Sequence, residues 1–89
     1  MIVSKPNAII IKNQHQQMIA ELTYFLLPSK CWLLEQLFAS SPSNMKRFKG
    51  ILIQKFFDQV PKRANCVRVL DPFAKAYLKK HPKYQKFLR

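Results

Sequence analysis

Glycine is almost missing from this chain: Gly50 is the only one among 89 residues. That absence excludes the phosphate-cradling Gly-rich loop, the dinucleotide fingerprint and the paired-glycine loops of single-strand RNA modules. It also argues against an all-β fold, whose tight turns draw on residues at positive φ. Acids are nearly as scarce. Glu21, Glu35, Asp58 and Asp71 stand singly against sixteen Lys and Arg, for a net charge of +12. Isolated carboxylates suggest no acid–base pair. Cys31, Cys66, His15 and His81 are the only soft metal ligands, and no two are close in sequence. A zinc site needs three or four clustered ligands, so neither a metal nor any other cofactor is expected. The two cysteines read as partly buried thiols, with a Cys31–Cys66 disulfide as the alternative for an oxidising compartment.

Long apolar runs are also lacking. The strongest, Leu22 to Leu27, is far too short to cross a bilayer, and no secretory pattern opens the chain. Residues 1–20 hold no acid, as an import segment would, but no Arg either, so a cleaved presequence is not expected. The serines (4, 29, 40, 41 and 43) fall where caps and linkers belong, and none sits in a nucleophile elbow. No enzyme is expected.

What is present is apolar surface and positive charge. Hydrophobic residues make up 48 %, with seven Phe, three Tyr and one Trp, enough to fold around. The length suits one small domain spanning 1–89. Its charge is uneven. Residues 1–45 carry Lys5, Lys12 and Lys30 against Glu21 and Glu35, a net of +1. Residues 46–89 carry thirteen cations against Asp58 and Asp71, a net of +11. The first half reads as an apolar packing unit and the second as an RNA-facing one.

Proline punctuation and apolar spacing predict a mainly α domain: four short helices, an extended N-terminal arm and a basic C-terminal helix. Residues 7–12, with three isoleucines, form the arm or a short strand. Met18, Ile19, Leu22, Phe25 and Leu26 recur at spacings of three and four, predicting a helix over 15–27 stopped by Pro28. Ser29 caps a second over 30–39, whose Trp32, Leu33, Leu34, Leu37 and Phe38 wrap much of its circumference. After the Ser40–Ser43 linker a third helix runs over 44–60 to Pro61, with Ser43 or Asn44 as its cap and Gly50 marking a close crossing of another backbone. Residues 62–70 read as irregular or strand-like. Asp71–Pro72 starts a fourth helix over 72–81, and a last turn follows Pro82.

Two features point to a polyanionic partner. Lys46, Arg47 and Lys49 open the third helix, where they oppose its dipole beside free N–H groups; a phosphate there relieves the conflict. Lys75, Lys79, Lys83 and Lys86 fall at i, i+4, i+8 and i+11, one helical face, with Lys80 beside them, backed by Phe73, Tyr77, Tyr84 and Phe87. Lysines are flexible point charges that hold a backbone rather than read a base. The expectation is a structural RNA-binding subunit of a large ribonucleoprotein, a ribosome in the first place and a mitochondrial one among the options. Its apolar faces would pack on neighbouring proteins, with no small-molecule substrate and no transmembrane segment. The alternatives are an accessory subunit of a membrane-bound respiratory complex, and a helix-turn-helix DNA-binding protein built on residues 30–60.

Overall fold

The computed structural model describes residues 1–64 and 66–88. It is not the mainly α bundle that the spacing predicts. Four strands, β1 (Ile2–Lys5), β2 (Ala8–Lys12), β3 (Met18–Leu26) and β4 (Trp32–Ala39), precede helix α1 (Pro42–Gln59). Strand β5 (Val67–Val69), helix α2 (Pro72–Lys79) and a 3₁₀ helix, α3 (Pro82–Phe87), complete the chain. The strands form one sheet in the order β1-β2-β3-β4-β5. The first four make an antiparallel meander, and β5 returns parallel to β4 after the α1 crossover.

The predicted helices over 15–27 and 30–39 are therefore strands, for a local reason. In β3 the true period is two: Ala20, Leu22 and Tyr24 are buried while Glu21 and Thr23 are half-exposed. Ile19 and Thr23 are β-branched and Tyr24 and Phe25 aromatic, types that suit a pleated surface. In β4 the register passes from Thr23↔Gln36 to Tyr24↔Leu34, which leaves Glu35 as an extra residue in a β-bulge. The bulge turns Leu34 and Leu37, three residues apart, to the same side, and both are buried. A spacing of three that reads as helical is here the signature of a bulge.

Tight turns are made without glycine. Asn7, Gln16 and Lys30 hold positive φ of 70°, 65° and 66°. Asn7 follows Pro6 in the two-residue β1–β2 connection, which the Lys5↔Ala8 pair closes. Asn13 accepts from the N–H groups of His15 and Gln17 at 2.8 and 3.0 Å and so shapes the β2–β3 turn.

Helix α1 is as expected in position, but its cap is Ser41, whose Oγ accepts from Asn44 N at 3.0 Å. Its Leu52, Ile53, Phe56, Phe57 and Val60 meet Ile9, Ile11, Ala20, Leu22, Tyr24, Leu34 and Leu37 in one core. Ala74 and Leu78 of α2, with Tyr84 and Phe87 of α3, extend that core. The other sheet face, with Val3, Ile10, Glu21, Thr23, Phe25, Leu33, Gln36 and Phe38, contributes nothing to it. Gly50 is approached by a side chain, not by another backbone: a Cβ there would lie 3.1 Å from Tyr77 Oη.

The cysteines, read as thiols, are joined. Cys31, just before β4, and Cys66, just before β5, form a disulfide across 35 residues. It closes the same end of the parallel pair that Trp32 N, donating to Cys66 O at 2.9 Å, also holds.

Candidate functional site

The sequence-derived cations fall into three separate groups. Lys46 and Lys49, one turn apart on α1, line a cleft of about 660 Å³ with Leu37 to Pro42, Met45 and Phe73. This cleft lies outside the carboxyl end of β4, between the first turns of α1 and α2. Its walls are mostly apolar, and its charged groups are the two lysines. Arg47 does not join them. Its guanidinium lies 5.1 Å over the Phe48 ring and borders a different hollow, with Lys12, His15 and Ile19.

The second group is Lys75 and Lys79, at i and i+4 on α2. They border a hollow of about 260 Å³ with Val67, Val69, Gln85 and Leu88. The third is Lys83 and Lys86 on α3. They line a groove of about 320 Å³ together with Lys62, Gln54, Asp58 and Tyr84. The sequence's single face through Lys75, Lys79, Lys83 and Lys86 is thus divided. A periodicity carried to i+11 requires an unbroken helix, whereas α2 ends at Lys79 and Pro82 opens a 3₁₀ turn. Lys80, the α2 C-cap, is exposed and lines none of these hollows.

Among the described residues no carboxylate forms an ion pair with these cations. Glu35 accepts from Thr23 Oγ1, Asp58 from Gln54 Nε2, and Asp71 from two backbone N–H groups. No ion pair within 4.0 Å forms among the described residues. The aromatic side of the second half packs inward: Tyr84 stacks on Phe57 at 4.5 Å and Phe87 lies 5.3 Å from the same ring. Tyr77 is half-buried against His81, whose Nδ1 donates to the Tyr77 carbonyl at 2.7 Å. Phe73 alone of the four is exposed, at 52 %. The Tyr84 hydroxyl donates to Gln54 Oε1 at 2.7 Å, and burial, aided by Tyr77 and Asp58, holds its pKa above the ordinary 10.0.

Two members of the α3 groove escaped the sequence reading. Lys62 follows Pro61 in a loop and shares no periodicity with the lysines it joins. Gln54, an exposed residue of α1, contacts Lys83, Tyr84 and Asp58. Among the described residues no cluster of three His, Cys, Asp or Glu could hold a metal ion. No helix among them is long and apolar enough to cross a membrane. No protein-family model, curated protein or solved structure matches the chain.

Proposed function

We propose that this protein binds RNA through its backbone phosphates, as a structural subunit of a large ribonucleoprotein. A ribosome, mitochondrial or otherwise, is the particle that best suits an 89-residue chain of charge +12. The observation that carries the reading is the set of cations on one half of the chain that no carboxylate among the described residues neutralises. Such a surface gains from counterion release when laid on a polyanion. Lys46, Lys49, Lys75, Lys79, Lys83 and Lys86 would each meet phosphate, with Arg47 and Lys80 adding to the general field. The uncovered sheet face, with Phe25 and Phe38 exposed at 38 and 44 %, would meet neighbouring proteins. The disulfide bears on compartment: a reducing setting would leave Cys31 and Cys66 as thiols.

The test is a salt titration of binding to two unrelated structured RNAs. Support is a steep fall in affinity with salt, equal for both. No binding to either RNA, with retention in an RNA-free assembly after nuclease treatment, would turn the reading to the respiratory-complex alternative. The helix-turn-helix alternative loses its first helix, because residues 32–39 are strand β4.

A second reading rests on the Lys46–Lys49 cleft. In α/β sheets small ligands settle outside the carboxyl ends of parallel strands, against helix N-termini. Apolar walls with two cations at one end suit a small ligand with an anionic head and an apolar body. Calorimetry with orthophosphate and with an alkyl phosphate separates the readings. Tighter binding of the alkyl ester, abolished by Lys46→Gln with Lys49→Gln, would favour the small ligand.

A further inference from the structure

Helix α3 is a 3₁₀ helix, with three residues per turn, so side chains at i and i+3 stand in rows. Tyr84 and Phe87 form the inner row and are fixed in the core, at 4 and 7 % exposure. Lys83 and Lys86, one residue earlier in each turn, form the neighbouring row. Each ammonium is laid over the ring that follows it: Lys83 Nζ is 5.1 Å from the Tyr84 centroid and Lys86 Nζ 5.2 Å from that of Phe87. Lys83 Nζ is also 3.4 Å from Gln54 Oε1, which the Tyr84 hydroxyl holds in place. A cation–π contact thus orients each side chain, and the Gln54 amide adds a second hold on Lys83. Lys62 faces the same groove. The groove's one carboxylate, Asp58, is occupied by Gln54 Nε2 at 2.8 Å, and that amide stands between it and Lys83.

One turn of 3₁₀ helix advances about 6 Å. That is close to the step from one phosphate to the next along a nucleic-acid strand. We propose that Lys83 and Lys86, with Lys62 lining the same groove, form a two-phosphate clamp for consecutive phosphates of one RNA strand. The proposal rests on the RNA reading above and sharpens it. Lys75 and Lys79 also stand about 6 Å apart along α2. Among the described residues no ring or amide orients them, so what sets the α3 row apart is that its side chains are held. Because the lysines touch phosphate only, the clamp is indifferent to base identity.

The test uses the whole oxidised chain and a single-stranded oligonucleotide of mixed sequence. Lys83→Gln with Lys86→Gln should lower the slope of log affinity against log salt by about 1.4, since each single-strand phosphate contributes about 0.7. Lys83→Arg with Lys86→Arg should keep the slope. A dinucleotide carrying two phosphates one nucleotide apart should displace the oligonucleotide from the wild type at a lower concentration than pyrophosphate, whose phosphates share an oxygen and stand much closer together. The Gln variant should lose that difference. Unchanged thermal unfolding of the Gln variant separates lost contacts from lost fold. If the Gln variant binds with the wild-type slope while Lys46→Gln with Lys49→Gln does not, the clamp is overturned and the RNA reading stands. If the dinucleotide and pyrophosphate compete equally, the spacing argument is overturned. If the wild type binds no RNA at any salt, both readings fall. Should pyrophosphate bind tightly in that last case, the groove takes free polyphosphate instead.

Discussion

The carboxylate of Asp71 joins two elements at once: Oδ1 accepts from Ala74 N at 2.9 Å, and Oδ2 accepts from Leu37 N at 2.9 Å. The first bond caps α2, and the second occupies a β4 backbone donor. The residue is 6 % exposed, the one buried charged side chain among the described residues. Asp71→Ala removes a cap, worth about 1 kcal/mol, and leaves a buried N–H without a partner, worth about 1–3 kcal/mol more. The expected loss is about 2–4 kcal/mol in urea unfolding. Asp71→Asn keeps one acceptor oxygen and should lose less. Equal, small losses for both would show that the Leu37 bond does not stabilise the fold.

That Asp71 would open a helix with Pro72 behind it was legible in the sequence, as were α1 and its stop at Pro61, although Pro42 and Ser43 of the expected linker belong to the helix. Asp71 with Pro72, and Pro61, act through local backbone geometry and read correctly. Ser29 and Pro28, by contrast, read as the cap and stop of helices where the structure has strands, and the α1 cap is Ser41 rather than Ser43 or Asn44. Strand β4 was not legible because its bulge breaks the period of two and puts Leu34 and Leu37 on one face at a helical interval. Strand β3 keeps that period over Ala20, Leu22 and Tyr24, but apolar residues on both its faces also fit spacings of three and four. The turns misled for a related reason: Asn7, Gln16 and Lys30 adopt a left-handed backbone that glycine would have announced. In the candidate site, the Lys46–Lys49 pair was visible because it lies within one helix. The α3 groove was not, because Lys62 and Gln54 reach it only through packing.

Gly50→Ala sets two effects against each other. Alanine favours an exposed helix interior by about 1 kcal/mol. Its Cβ, however, would sit 3.1 Å from Tyr77 Oη. The Tyr77 ring cannot retreat freely, since it stacks on His81 with centroids 3.8 Å apart. The clash should win, with a net destabilisation of about 1 kcal/mol, in the range for overpacking. In a Tyr77→Phe background the hydroxyl is gone, and the same substitution should become neutral or stabilising. A thermodynamic cycle of the four proteins measures this coupling. Additive effects would exclude it.

Reduction of Cys31–Cys66 should act on one end of the sheet. Opening a 35-residue loop restores conformational freedom worth about 4 kcal/mol to the unfolded chain. Locally, β5 is tied to β4 through only Trp32↔Val67, Leu33↔Arg68 and Leu34↔Val69. Hydrogen exchange after reduction should therefore accelerate in β5 and α2 before it does in β1 to β3. A uniform change along the chain would contradict the localised role.

Tyr84 gives a pH dependence with a definite sign. Its folded pKa lies above the unfolded 10.0, chiefly because burial disfavours the phenolate. The folded state therefore binds the proton more tightly. The associated stability is full below pH 10 and is lost as pH rises through the raised value. Unfolding measured from pH 8 to 11 should show the wild type losing stability more steeply than Tyr84→Phe at the alkaline end. Parallel curves would show that the phenol is not responsible.

The α1 cations allow a sharper test than total charge. Lys46 and Lys49 share the cleft outside β4, whereas Arg47 leans on Phe48 elsewhere. If phosphate sits against the α1 N-terminus, neutralising the pair should weaken RNA binding and lower the salt slope by about 1.4–1.8, at 0.7–0.9 per phosphate. Arg47→Gln should change the slope by clearly less. Loss of fold cannot mimic this result, because cations in the first turns of α1 oppose its dipole. Removing them should raise stability by a few tenths of a kcal/mol. Tighter folding together with weaker binding is the signature of a site kept for its ligand rather than for the fold. The same loss should appear on two unrelated RNAs, since phosphates carry no sequence information. Equal slope changes for the pair and for Arg47→Gln would mean a diffuse field rather than a bound phosphate.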